Sequence, residues 1–151
     1  MAIEMTERDR DAQLSQAVTM SEVYKRQITD LATRIQVLDN STQDIDTTVE
    51  ALNALNQNKP GTEIFVPIGR YIGTLMRAEL KDNEKVIINI GGNVSAEKTL
   101  SEAKEILKSR KDALITARQE FVQAFSETQN RLSQANEIAQ RLVQELQNEK
   151  P

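Results

Sequence analysis

The chain has 151 residues, 38% of them apolar but only 3% aromatic, with 28% charged and a formal net charge of −4. This is thin provision for a thick globular core, and the absence of histidine, cysteine and tryptophan removes thiol nucleophiles, Ser-His-Asp relays, Cys/His zinc sites and imidazole acid–base chemistry together. Carboxylate and lysine chemistry would still need a buried pocket to shift pKa values, and a narrow helix seam offers none, so no enzyme activity and no cofactor are expected.

The acidic balance argues against nucleic acid as a partner, because phosphate binding is driven by clustered Lys and Arg. The densest basic group, Lys108, Arg110 and Lys111, sits beside Glu105 and Asp112 and reads as a solvated helix face. The opening residues Met1 to Arg10 have no apolar signal core, and no uninterrupted apolar run approaches the ~20 residues of a spanning helix. Without cysteine there is no disulfide framework, and the expected location is the cytoplasm, away from any membrane. The triplets at Asn40 and Asn93 that match a glycosylation acceptor are read as accidents in a cytoplasmic chain.

All five glycines and two of the three prolines fall between Pro60 and Gly92. The flanks contain no breaker until Pro151, so two long helices are expected, over 8–58 and 99–149, bracketing a β insert over 61–97 in a single unit. In the first flank a 3-4 spacing runs through Leu14, Ala17, Ser21, Tyr24, Ile28, Leu31, Ile35, Leu38, Thr42, Ile45, Val49 and Leu52, with charged residues between them. Such a stripe is a coiled-coil seam.

Within the insert, Glu63 to Gly69 reads as a first strand ended by Pro and Gly, and Tyr71 to Leu80 as a second. Lys81 to Lys85 is a polar turn, Val86 to Ile90 the strongest strand signal of the chain, and Val94 to Glu97 a short fourth strand after Gly91-Gly92-Asn93. Neither glycine pair has the lysine and hydroxyl residue or the directly following helix of a phosphate loop, so turn duty is the better reading. Two isolated hairpins are marginal in water, and the insert has no helix of its own to lay over them. The expectation is therefore an obligate oligomer, built through Ile64, Phe65, Val66, Ile68, Leu75, Val86, Ile87, Ile88, Ile90 and Val94, whose open strand edges and apolar faces pair with other chains.

The second flank opens on Thr99-Leu100-Ser101-Glu102, a capping box. Its stripe passes through Leu100, Ala103, Leu107, Arg110, Leu114, Ala117 and Phe121, then Phe125, Thr128, Leu132, Ala135, Ala139, Leu142 and Leu146. The two successive steps of four from Ala117 to Phe125 are a stutter that should locally unwind a supercoil. Antiparallel pairing of the flanks sets Leu52 near Ala103 and Leu14 near Leu142, and brings both termini to one end. There Met5, Leu14, Val18, Met20, Leu132, Ile138, Leu142, Val143 and Leu146 gather, and Val18, Met20, Ile138 and Val143 lie off the seam, where two helices cannot cover them. Methionine is flexible and polarisable, which suits a surface that must fit many apolar shapes. The plain alternative is that frayed coiled-coil ends carry stray apolar residues.

The order helix, two hairpins, helix, together with Glu63-Ile64-Phe65-Val66-Pro67-Ile68-Gly69, then Val86-Ile87-Ile88-Asn89-Ile90-Gly91, then Val94 and Glu97 leading to Ala103 and Leu107, resembles the α-type subunit of archaeal prefoldin. The specific wording is confined to about residues 60 to 115. Where that family usually has a second glycine, this chain has Asn93, the residue type that best tolerates positive φ after glycine. The resemblance implies an α+β fold of two long helices in an antiparallel coiled coil joined by two β-hairpins that assemble into an intersubunit barrel. It further implies a hexamer of two α-type and four β-type subunits that holds non-native polypeptides at its coiled-coil ends and passes them to a group II chaperonin without nucleotide. In that setting Val86 to Ile90 would form the contact between α-type subunits. The competing reading from another class is a structural adaptor whose coiled coil is a spacer and whose termini bind one defined partner.

Overall fold

The computed structural model describes residues 6–69 and 73–148. In chain order it contains α1 (Glu7–Gln57), β1 (Glu63–Ile68), β2 (Thr74–Glu79), β3 (Lys85–Gly91), β4 (Val94–Thr99) and α2 (Leu100–Asn148). These residues fall into a terminal unit, from both ends of the chain through Asp39 and from Thr116, and a central unit, Asn40–Ile115.

The breakers act where the sequence places them. Pro60 follows the last turn of α1, where the Asn58 amide already bonds to the Leu55 carbonyl, and Gly61 takes a φ of 92°, which turns the chain into β1. At the other boundary β4 runs straight into α2 through Thr99. The Thr99 hydroxyl oxygen accepts from the Glu102 amide at 3.2 Å, and the Glu102 carboxylate accepts from the Thr99 amide at 3.0 Å, so the capping box forms as the sequence predicts. This second bond, with help from Lys98, holds the Glu102 carboxyl below its ordinary range. A carboxylate so depressed stabilises the fold above its unfolded pKa, and that contribution disappears as pH falls through the folded value. Thr99→Ala is expected to lower stability by about 1 kcal/mol in denaturant titration. Glu102→Gln should flatten the pH dependence of unfolding below about pH 4, the ordinary glutamate range, and leave it unchanged at neutral pH.

α1 has a related start. The Thr6 hydroxyl donates to the Asp9 carboxylate at 2.6 Å and the Thr6 amide donates to it at 3.1 Å, which lowers the Asp9 pKa. In return the Asp9 amide, an exposed donor of the first turn, donates to the Thr6 carbonyl at 2.9 Å and to the Thr6 hydroxyl oxygen at 3.3 Å.

In the terminal unit the two helices pair antiparallel along the expected seam. Ser21 meets Asn136 at 2.9 Å and Asp39 meets Arg118 at 2.5 Å, and the step from Ser21 to Asp39 on α1 equals that from Arg118 to Asn136 on α2. Ala17, Ser21, Thr128, Ala135 and Leu142 are buried, and Leu14, Tyr24, Ile28, Leu31, Ile35, Leu38, Leu132, Ala139 and Leu146 are half-buried. At the stutter the half-buried stripe widens to include Phe121, Ala124 and Phe125, and the Arg34 guanidinium lies 5.8 Å from the Phe121 ring centre. The Asp39–Arg118 pair raises the Arg118 pKa, chiefly through its hydrogen bond, but both side chains are about two-fifths exposed. So exposed a pair adds little to stability and serves register instead.

In the central unit the core consists of Leu52 from α1 and Leu100, Ala103 and Leu107 from α2, with Ile45, Val49, Leu55, Val86 and Ile88 packed against it. Leu52 and Ala103 therefore meet as the antiparallel register requires. Across the same helices Lys111 bonds to Asp46 at 2.6 Å.

The strands form two separate antiparallel hairpins, β1 with β2 and β3 with β4. The first pairs Glu63 with Glu79 and Ile68 with Thr74, and its ladder continues through the Gly61 and Leu80 amides. The second turns at Gly92-Asn93, with φ of 57° and 60°, the two left-handed residues of a tight hairpin turn. Asn93 thus occupies the conformation expected of it.

Candidate functional site

Alternation along β1 and β2 fixes what the first hairpin offers. Ile64, Val66 and Ile68 share one face with their partners Ala78, Met76 and Thr74, and Phe65 and Pro67 share the other with Arg77 and Leu75. Both faces leave large apolar side chains exposed: Phe65 is 58% exposed, Leu75 60%, and Val66, Ile68 and Met76 are exposed as well, while the Ile64–Ala78 pair is half-buried. A sheet of two strands with large apolar side chains on both faces is not a stable surface in water.

The second hairpin differs, and here the structure corrects the expectation that both hairpins lie bare. Val86 and Ile88 pack against the Leu52–Leu107 core and are half-buried there by their own chain. The physical reason is that helix ends which bracket an insert also supply it with an apolar floor. The Leu100 amide bonds to the Glu84 carbonyl at 3.0 Å, and Arg110, a charged residue at a seam position, donates to the Asn89 carbonyl at the bulge between Asn89 and Gly91. Of the expected assembly residues in this hairpin, Ile87 (79% exposed), Ile90 and Val94 face outward. Ile87 stands opposite Glu97, so its face is otherwise polar.

A second surface lies in the terminal unit. Of the expected end residues, Met5 falls outside the described residues. Leu14, Leu132 and Leu146 are half-buried in the seam and Leu142 is buried in it, so these build the coiled coil. Val18, Ile138 and Val143 are exposed, and Met20 is half-buried.

Met20 and Ile138 are brought together in a groove of about 420 Å³, lined also by Gln13, Gln16, Ala17, Tyr24, Arg131, Gln134 and Ala135. Its floor is shallow because the seam there is built from small residues: Ala17 and Ala135 are buried, and next to them Ser21 and Asn136 hydrogen-bond to each other. A larger seam side chain would fill it. Sequence periodicity placed Tyr24 and the alanines correctly on the seam, but gave no sign that their small volume opens a cleft with Arg131, Gln16 and Gln134 on its rim.

The described residues include no group of carboxylates able to hold a metal ion and no helix long and apolar enough to cross a membrane. What remains is two kinds of apolar surface, one on strands and one on paired helices.

Residues 24–145 match the family profile of prefoldin, described as prefoldin subunit. Prefoldin subunit alpha of Methanoregula boonei is 34% identical over 121 residues, 80% of this chain and 75% of that protein. The alpha subunit of Methanothrix thermoacetophila is 30% identical over 102 residues, 68% of this chain and 65% of that protein, so the matched part spans just under two thirds of that relative. With the alpha subunit of Nitrosopumilus maritimus the likeness is weaker but longer, 28% over 135 residues and 89% of both chains. Among solved structures, a chain of filamentous PFD from Methanocaldococcus jannaschii, determined by cryo-EM, superposes with a TM-score of 0.69 at 24% identity, over 77% of this chain and 94% of that one. At that identity the likeness speaks for the fold.

Proposed function

The chain belongs to the prefoldin family as an α-type subunit, and from that premise we propose that it is one subunit of an ATP-independent chaperone that holds non-native polypeptides. The observation that carries this reading is the division of exposed apolar surface between two places with different chemistry. The first hairpin offers flat apolar faces and unpaired strand edges, which suit permanent pairing with β-type subunits in a hexamer of two α-type and four β-type chains. The terminal unit offers isolated side chains and a shallow groove, which suit weak, varied contacts.

Weak contacts suffice when several act together. Once one coiled-coil end holds a segment of an unfolded chain, the ends of neighbouring subunits meet the next segment at high effective concentration, so an extended client is retained and a compact one is released. Release requires no nucleotide, because folding of the client itself removes the apolar segments. Delivery to a group II chaperonin in the cytoplasm follows from the same logic, as transfer to a cavity with more apolar sites.

The test is the combined substitution of Val18, Ile138 and Val143 by serine. All three side chains are exposed, so the helices should keep their melting behaviour and the oligomer its size. Suppression of aggregation should fall for several unrelated unfolded clients. Loss of binding to one partner only, with client protection intact, would favour the adaptor reading instead.

A further inference from the structure

The groove in the terminal unit has an uneven charge. Its lining contains one cation, Arg131, and no carboxylate. Arg131 is exposed and forms no ion pair among the described residues, in contrast to Arg34 and Arg118, which are both held by aspartates. The acidic residue one turn before it on α2, Glu127, accepts instead from the Gln123 amide at 3.0 Å. The residues that line the groove from α1, Gln13, Gln16, Ala17, Met20 and Tyr24, bring no charge to it.

The rest of the lining describes a complementary occupant. Ala17, Ala135, Met20 and Ile138 form an apolar floor and wall, and the 420 Å³ between them is enough for one or two large side chains but not for a folded element. Gln16 and Gln134 on the rim can each donate to and accept from an extended peptide backbone. Resting on the client-holding reading above, we infer that this groove is a charge-selective subsite for an extended segment of non-native polypeptide, in which a large apolar side chain seats on the alanine floor and an adjacent Asp or Glu pairs with Arg131. The guanidinium supplies two parallel donors to a carboxylate, which fixes the direction of the segment as well as its charge. A segment with Lys or Arg at the same place would leave Arg131 facing a like charge.

The experiment uses the full-length chain assembled with a β-type prefoldin subunit and two labelled, unstructured peptides with the same leucine and phenylalanine residues, one flanked by aspartates and one by lysines. Fluorescence anisotropy should give tighter binding of the aspartate peptide by about three- to fivefold, the range of an exposed charge pair. The preference should shrink as salt is raised toward about 1 M, where screening acts over about 3 Å. Arg131→Gln should abolish it, and Arg131→Glu should reverse it. Gln134→Glu places a carboxylate three residues from Arg131 on the same helix and should quench the preference with the arginine still present.

Equal binding of both peptides by the unaltered chain, or a preference that survives in Arg131→Gln, would overturn the charge selectivity while leaving client holding in place. If neither peptide binds, the client-holding reading falls with it.

Discussion

Val66→Asp combined with Met76→Lys is expected to convert the assembled protein into a monomer of 17.0 kDa. These residues are directly paired across β1 and β2 and lie on the face that carries Ile64, Ile68 and Ala78. The substitutions are of opposite charge so that the new pair sustains the hairpin: directly opposed Asp and Lys contribute about 0.2–1 kcal/mol, whereas two aspartates would unfold it for an uninformative reason. The face, by contrast, becomes unusable for association. Taking both charges out of water against a neighbour's apolar side chains costs several kcal/mol per ion, which their mutual attraction does not return in full. Light scattering after size exclusion, with a β-type prefoldin subunit present, measures the outcome. Helix content should stay constant by circular dichroism. An oligomer of unchanged mass would show that assembly does not run through this face.

Leu107→Ala should destabilise the central unit by about 3 kcal/mol, within the 2–5 kcal/mol typical of such deletions from a packed core. Leu107 is 6% exposed and touches the group of Leu52, Leu100 and fully buried Ala103 on which Val86 and Ile88 rest. Few side chains share the load, because this core is small, and the seam on either side offers nothing that can move in to fill the cavity. The second hairpin should therefore loosen together with the helix ends. Hydrogen exchange would register this as lost protection at Val86 and Ile88 before any change at β1. Ile87→Ala is the control: at 79% exposure its effect on stability should stay within about 0.5 kcal/mol. If the two substitutions cost the same, the second hairpin does not depend on the helix core.

These two results separate duties that composition alone cannot. The first hairpin is held by its own ladder and leaves Phe65, Ile68, Leu75 and Met76 exposed. The second is held by its own chain through the Leu52–Leu107 core, the Arg110 contact to the Asn89 carbonyl and the Leu100 amide. The apolar side chains left exposed lie mainly on the first, and at Ile87, Ile90 and Val94 of the second.

The sequence by itself determined the order of elements and the seam. Breakers at Pro60 and Gly61 and the Thr99–Glu102 cap are local features, governed by backbone angles and hydrogen bonds within three or four residues, so the chain declares them without reference to anything distant. The same holds for the helix stripe: all the expected seam positions from Leu14 to Leu52 and from Leu100 to Leu146 are buried or half-buried, because a 3-4 spacing leaves a long helix only one face to bury. Tertiary structure alone decided which apolar residues of the insert are spent internally. Val86 and Ile87 look alike in sequence, and only the docking of β3 on α1 and α2 puts the first inside and the second outside. It also decided that Ala17 and Ala135 open a groove beside Arg131, since a cleft is a property of volumes missing from two helices at once, and no one-dimensional pattern records what a facing helix leaves unfilled.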